Sequence, residues 1–599
     1  MRTAETILTL IQDRGKRGLP LERVYRLLYN PHLYLLAYGK IYRNQGATTP
    51  GSTSETVDAM SLAKIDTIIT ALRAERYRWT PTRRIYIEKK HSTKKRPLSM
   101  PTWSDKLLQE VLRLILDSYF EPTFSAYSHG FRPGKGCHTA LKQIDDQWHG
   151  VSWFIEGDIK ACFDSLSHDI LLGILARHIH DERFLRLIRG LLEAGYLEEW
   201  RYYATLSGAP QGGILSPLLS NIYLSELDRY IETTLIPQYT KGKRRRKNLR
   251  YDALISRAAK LRRGGQLNEA AKVRKAAQQL PSVLLNDPEY RRLKYVRYAD
   301  DWLLGVTGSK EDAEQIKYLV KTFLQEELRL TLSEEKTLIT HARTDSARFL
   351  GYHLSVSHDD TCQTHHVRHI NGQIRLRIPP DVLTTKCQRY QRNGKPLHRP
   401  ELTNNTVYSI VAQYQAEYRG LVEYYRLAND LHRLNRLQWV MGGSLGKTLA
   451  AKLKLTAKQV HKRYEAQWTM KGRRCTGLQV TISRAGKPPL IARWGGISLQ
   501  RDTHAVLNDQ PPVFWAGRTE LEKRLLADTC ELCGSHDRIQ VHHIRALKDL
   551  RQKGRAEKPL WARVMSARRR KTLVVCWSCH TAIHNGKSGQ QHALDQNSA

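Results

Sequence analysis

Long apolar runs are missing from this 599-residue sequence. No stretch approaches the roughly 20 consecutive apolar residues that a membrane span needs. The N-terminus, MRTAETILTLIQDRGKRG, has neither the apolar run nor the small-residue cleavage site of a secretory signal. A protein that is not secreted, has no membrane partner and stays in a reducing compartment is therefore expected. Cysteine is sparse: of nine, Cys137, Cys162, Cys362, Cys387 and Cys475 are scattered, and four stand as two CxxC pairs near the C-terminus. In a reducing compartment that pattern reads as metal ligation rather than disulfide formation. Acidic residues are also short, 58 Asp and Glu against 97 Lys and Arg, a net charge of +39. Such an excess opposes compaction unless a polyanion neutralises it. Nucleic acid is the expected partner, because Lys and Arg release counterions from phosphate.

What is present suffices for several domains: 41% of the residues are hydrophobic over a length that exceeds one core. Residues 1–80 read as helical and polar, with a loop at Asn44–Ser54. A short strand at Arg83–Ile87 precedes the basic run Lys89–Arg96. Leu107, Leu108, Val111, Leu112 and Ile115 then mark one face of a helix over Asp105–Leu116. From Val151 to Val306 β-branched and aromatic runs alternate with helical patterns, which implies an α/β or α+β core. Lys241–Lys275 interrupts it with 14 basic residues against two acidic ones, either an RNA-facing insertion or a solvated helix pair. Val407, Ile410, Val411, Tyr414, Tyr418, Leu421 and Tyr425 repeat at the spacing of a buried helix stripe. Gly472–Pro512 reads as a basic, loop-rich connector.

Three groups of residues carry chemistry. Tyr298-Ala299-Asp300-Asp301 sits between the apolar runs Leu293–Val296 and Trp302–Val306, the pattern of a hairpin whose turn presents adjacent carboxylates. Adjacent acids repel and are costly to bury, and divalent metal offsets that cost. Asp158 ends another apolar run, SWFIEGDI, and either joins Asp300 and Asp301 around a metal pair or caps the next helix. Near the C-terminus, Cys530-x-x-Cys533 and Cys576-x-x-Cys579 suit tetrahedral structural Zn²⁺. His542 and His543 lie between these pairs. His580 and His584 follow, four residues apart and so on one face if that segment is helical.

FIEGDIKACFDSLSH, GAPQGGILSPLLSNIYLSELD, YVRYADD, LTLSEEKTLIT and FLGYHL occur in the order of reverse-transcriptase sequence blocks. RRIYIEKKHSTKKRPLSMPT and YSHGFRPGKGCHTAL upstream resemble the fingers blocks of group II intron reverse transcriptases. From about residue 20 to its end the chain resembles that family. The resemblance implies a multidomain α+β protein: right-hand polymerase fingers and palm, an α-helical thumb/maturase region and a small zinc-stabilised ββα-metal (HNH) domain. The implied divisions are an N-terminal extension over 1–80, fingers and palm over 81–370 with a basic insertion at 241–292, and a thumb/maturase domain over 371–490. A DNA-binding segment over 491–525 and the HNH domain over 526–599 follow.

Site roles follow by resemblance. Asp158, Asp300 and Asp301 would bind two catalytic Mg²⁺ ions. Phe163 resembles the steric gate against a ribose 2′-hydroxyl, Gln211 the residue that contacts the incoming nucleotide and Arg96 the fingers cation on its triphosphate. Lys336 would give a proton to departing pyrophosphate. Tyr418-Arg419-Gly420-Leu421 and Ser444–Ala450 match the maturase region, which implies binding of the parent intron RNA through phosphate and shape. In the HNH domain, His543 would be the general base, while His542, His580 and His584 would hold a divalent metal. The expected middle Asn is missing, and its place falls at Lys571. Arg568, Arg569, Arg570 and Lys571 are expected to face DNA phosphates. The implied function is RNA-directed DNA polymerisation, maturase assistance to splicing, and site-specific nicking for target-primed reverse transcription in intron mobility. Intron RNA, target DNA and dNTPs would be the partners, in a bacterial cytoplasm or organellar matrix. Three alternatives stand beside it: a splicing factor that no longer polymerises, an RNA-directed RNA polymerase, and a DNA-binding zinc knuckle without cleavage.

Overall fold

The five apolar residues expected on one helix face lie on the helix Trp103–Phe120, whose first turn is capped by the Thr102 hydroxyl accepting from the Asp105 N–H. All five are buried, and so are Leu114 and Leu116 on the remaining side. A helix apolar nearly all round belongs inside a domain, and this one is central to the larger of two hydrophobic cores. Its buried Glu110 is held by a bidentate ion pair with Arg113, at 2.8 and 2.6 Å. The computed structural model describes residues 2–586, except 45, 89–94, 200, 206, 209–211, 285–286, 360–369, 471, 485, 508–518 and 551–557.

The N-terminal helices Ala4–Lys16, Pro31–Ile41 and Leu62–Arg73 pack into the same core. The expectation of a polar N-terminus is corrected here: Leu28, Leu33, Tyr34, Ala37 and Tyr38 have no exposed surface. Their apolar residues are bunched without clean period, because the helix Pro31–Ile41 is covered on more than one side. That core also includes Leu521, Val541, Leu573 and Ile583 from the C-terminal region.

The sheet expected to form the palm is four-stranded and antiparallel, in the order Ile339–His341, Trp153–Asp158, Asp301–Thr307, Arg292–Tyr298. A second four-stranded sheet, in the region expected to form the fingers, runs Lys95–Met100, Thr82–Glu88, Tyr196–Glu198, Arg201–Tyr203. A three-stranded sheet, Ala347–Phe349, Tyr352–Val356 and Ile374–Arg377, leads into the helices Val407–Tyr424 and Leu434–Leu453 of the second core. The helix stripe is largely realised, with Ile410, Val411, Tyr414, Tyr418 and Tyr425 buried, but Val422 is buried in place of Leu421.

Gly472–Pro512 is not the loop expected of it. Glu465–Met470, Arg473–Arg484 and Lys487–Trp494 form a three-stranded antiparallel sheet. Leu478, Val480, Ala492 and Trp494 point into the core from alternating positions, while the interleaved polar residues face out and gave the stretch its loop-like composition. The basic insertion holds two helices, Leu249–Arg263 and Leu267–Ala277, mostly exposed. No helix among the described residues is long and apolar enough to cross a membrane.

Candidate functional site

Antiparallel register brings the palm carboxylates together. Trp153–Asp158 pairs with Asp301–Thr307 so that Asp158 lies directly opposite Asp301. Asp301 also pairs with Tyr298 across a two-residue turn, Ala299-Asp300, in which Ala299 takes φ 57°. A positive φ at the first turn position matches the right-handed twist of the flanking strands. Gly157 is required next to Asp158: a Cβ there would lie 2.0 Å from the Trp302 ring. Asp158 does not cap the next helix, which starts at Cys162 behind Ala161.

The charge of Asp158 acts on both hairpin acids. Burial, then the charges of Asp300 and Asp158, pushes Asp301 up to about 7. Burial, then Asp158, also raises Asp300, while Arg96 and Lys336 oppose the shift. Lys336 donates to Asp158 Oδ2 at 2.7 Å, a bond that raises its own pKa. Arg96 lies on the exposed strand Lys95–Met100 and reaches the same centre through its charge. Phe163 sits on the short helix Cys162–Ser165, edge-on to Phe131 at 6.5 Å between ring centroids. Gln211 lies outside the described residues. A cavity of about 300 Å³ between the strand at Pro97 and Ser99 and the loop at Ser207 and Gly208 adjoins Asp164, the residue after Phe163.

Sequence reasoning did not find what holds the turn. Arg297, with no exposed surface, donates to both oxygens of buried Asp228 at 2.7 and 2.6 Å, to Ser128 Oγ at 2.8 Å and to the Ala299 carbonyl at 2.8 Å. The Tyr295 hydroxyl adds a bond to Asp228 at 2.7 Å. Arg297 stands in YVRYADD, but nothing local identifies Asp228 as its partner.

The C-terminal region contributes to two clusters, in each of which the ligand atoms lie within 4.8 Å of one another. Cys530, Cys533, Cys576 and Cys579 form the first. The N–H of Cys533 reaches Cys530 Sγ and that of Cys579 reaches Cys576 Sγ, each at 3.5 Å, as expected of knuckles that stabilise thiolates. The Cys579 thiol, bonded to the Cys530 sulfur, draws the Cys530 pKa down and is itself raised. The second cluster is Asp58, His542, His580 and His584. His542 comes from the strand Ile539–His543, and His580 and His584 from one face of the helix Trp577–His584. Gln540 contacts His580 Nδ1 at 2.9 Å and leaves Nε2 facing the cluster. His542 is 5% exposed; its Nε2 has no hydrogen-bond partner, and its Nδ1 faces only the Asp58 carboxylate, 3.5 Å away. A buried imidazole nitrogen without a partner fits a metal ligand. His543 points the other way, as strand alternation requires. Its Nε2 meets the Tyr38 hydroxyl at 2.8 Å, and burial draws its pKa down to about 3.

Asp58 had no sequence signal, being 485 residues from His543, whose N–H it accepts at 2.7 Å. Burial alone would raise it, but the imidazole and backbone donors around it hold it well below the usual carboxylate range. Of the four residues expected to face DNA phosphates, Arg568 pairs with Glu531 at 2.8 Å and Arg570 with Glu520 at 2.6 Å, and both stay partly exposed.

Residues 87–354 match the reverse transcriptase (RNA-dependent DNA polymerase) family, 382–480 the type II intron maturase family and 530–580 the AI2M/AI1M-like HNH endonuclease family. The chain is therefore a reverse transcriptase that carries a maturase region and an HNH endonuclease. It is 39% identical to the group II intron-encoded protein LtrA of Lactococcus lactis subsp. cremoris, over 98% of this chain and all of that one. A 91 kDa protein in the cob intron of Schizosaccharomyces pombe is 34% identical over 98% of this chain and 73% of its own. The putative COX1/OXI3 intron 1 protein of Saccharomyces cerevisiae is 32% identical over 96% of this chain and 71% of its own. The chain belongs to the group II intron-encoded proteins.

Proposed function

We propose that Asp158, Asp300 and Asp301 hold the two Mg²⁺ ions of an RNA-directed DNA polymerase. The single observation that carries this reading is the strand register that sets Asp158 opposite Asp301. The ions would activate the attacking primer hydroxyl and stabilise the leaving oxygen. The chain's own groups do the rest. Arg96 offers a planar cation to the triphosphate. Phe163 bars a ribose 2′-hydroxyl. Lys336, tied to Asp158 at 2.7 Å, supplies a proton to pyrophosphate. Gln211 contacts the incoming nucleotide. Primer extension on an RNA template tests the reading: the wild type extends with dNTPs, whereas Asp300→Ala binds template and does not extend. A wild type that prefers rNTPs would overturn the choice of product.

In the C-terminal region, the strands Ile539–His543 and Thr572–Cys576 and the helix Trp577–His584 form the ββα-metal unit of the nuclease. Cys530, Cys533, Cys576 and Cys579 would hold a structural Zn²⁺ that ties the two knuckles together. His542, His580 and His584 hold the divalent metal of DNA cleavage, and His543 is the general base. His543→Ala is expected to stop nicking while cDNA synthesis continues. The parent intron RNA binds the basic surfaces, among them the helix pair and a hollow of about 580 Å³ lined by Arg426, Arg473, Arg474 and Arg501. Intron RNA, target DNA and dNTPs then meet in target-primed reverse transcription, which serves intron mobility. The work is done in the cytoplasm of a bacterium or the matrix of an organelle.

A further inference from the structure

The nuclease centre is not built from the C-terminal region alone. Residues 58–60 lie along its edge strand: the Ala59 N–H donates to the Val541 carbonyl at 3.1 Å, and the Val541 N–H to the Met60 carbonyl at 2.9 Å. This antiparallel bridge adds a third lane to the two-stranded sheet. The bridge delivers Asp58 into the histidine cluster. Its Oδ2 is 2.8 Å from His584 Nε2, and its Oδ1 is 3.3 Å from His580 Nε2 and 3.5 Å from His542 Nδ1. On the far side of the strand, the Tyr38 hydroxyl meets His543 Nε2 at 2.8 Å. The helix that carries Tyr38 is seated tightly, for a Cβ on Gly39 would lie 1.9 Å from Glu522 Oε1.

We propose that Asp58 is a fourth protein ligand of the nuclease metal, and that the N-terminal region holds the endonuclease closed through Asp58 and Tyr38 together. The inference rests on the reading of His542, His580 and His584 as metal ligands. Three imidazole nitrogens and one carboxylate oxygen would supply four protein donors, the number found in structural sites, whereas catalytic sites keep a position open. A DNA phosphate must bring an anionic oxygen to the metal, and the Asp58 carboxylate is an anionic oxygen already in that place. DNA and Asp58 therefore compete for one coordination position. Tyr38 takes the ring nitrogen that the general base needs. Two groups from the N-terminal region thus cover the two halves of the cleavage machinery, and the two backbone bonds at Val541 are what must open.

The test uses the full-length protein with its four-cysteine site loaded with zinc. Ni²⁺, which prefers imidazole over carboxylate cages, is titrated calorimetrically. Nicking of supercoiled plasmid is measured separately at saturating Mg²⁺. Asp58→Ala is expected to weaken Ni²⁺ binding about tenfold or more and to nick several-fold faster than wild type. Tyr38→Phe, which keeps the ring and removes the hydroxyl, is expected to nick faster with Ni²⁺ affinity unchanged. His580→Ala is the control for the underlying reading and is expected to weaken Ni²⁺ binding. If His580→Ala weakens Ni²⁺ binding and Asp58→Ala does not, Asp58 is no ligand. If Asp58→Ala binds Ni²⁺ weakly and nicks more slowly, the carboxylate is a working ligand and there is no closure. If His580→Ala binds Ni²⁺ as wild type does, the histidine reading itself fails.

Discussion

Arg297 and Asp228 show how one buried pair positions chemistry elsewhere. The guanidinium spans from Asp228 to the Ala299 carbonyl, so the turn that presents Asp300 is fixed from behind. Removing the carboxylate leaves a buried cation unpaired. Asp228→Ala is expected to cost about 3–5 kcal/mol, measured as lost urea stability, with primer extension impaired even where the protein remains folded. Asp228→Asn keeps the shape and one acceptor and is expected to fall between. The palm acids set a pH limit of their own. Asp301 is raised to about 7, and the proposed metal on it would need the ionised form, so protons would compete with Mg²⁺ below that pH. The Mg²⁺ concentration for half-maximal extension is expected to rise up to about tenfold per unit from pH 7 to pH 6. It is expected to level off above pH 8. A requirement flat from pH 6 to pH 8 would contradict that shift.

At the scale of elements, the hairpin was legible because its signal is local. Two apolar runs flank a short polar turn, and Asp158 closes a third run of the same kind. His580 and His584 were legible as a helix pair by spacing, and the four cysteines by CxxC repetition. What stayed hidden depends on contacts between distant segments. Asp58 is one acid in a polar loop, and Asp228 one acid on a helix; only folding gives either a partner. The sheet over 465–494 was misread because Arg, Thr and Gly on its outer face mask the alternation of Leu478 and Val480. Two elements can be tested by removal. Replacing residues 249–277 with a short linker is expected to weaken intron RNA binding and flatten its salt dependence by about one unit of slope per lost phosphate contact. Extension of a short primer on a short template is expected to persist. Cys533→Ser is expected to release the zinc, measurable by a metal-indicator dye, and to lower DNA nicking without loss of cDNA synthesis.

At the scale of the whole molecule, one core runs from the N-terminal helices through Ile155, Tyr295 and Trp302 of the four-stranded sheet to the C-terminal sheet, while a second joins Phe154, Val296 and Leu303 of that same sheet to the helices Val407–Tyr424 and Leu434–Leu453. Polymerase and nuclease therefore share packing, and the N-terminal region touches both. Carboxylates at 158 and 300–301 are proposed to share one metal centre. Iron-mediated hydroxyl-radical cleavage tests it directly. Fe²⁺ in place of Mg²⁺, with ascorbate and peroxide, cuts the backbone beside the ion, and the fragments are sized by mass spectrometry. Cuts both near residue 158 and near residues 300–301 are expected, suppressed together by excess Mg²⁺ and lost together in Asp300→Ala. Cleavage at one of the two segments alone would contradict a shared centre.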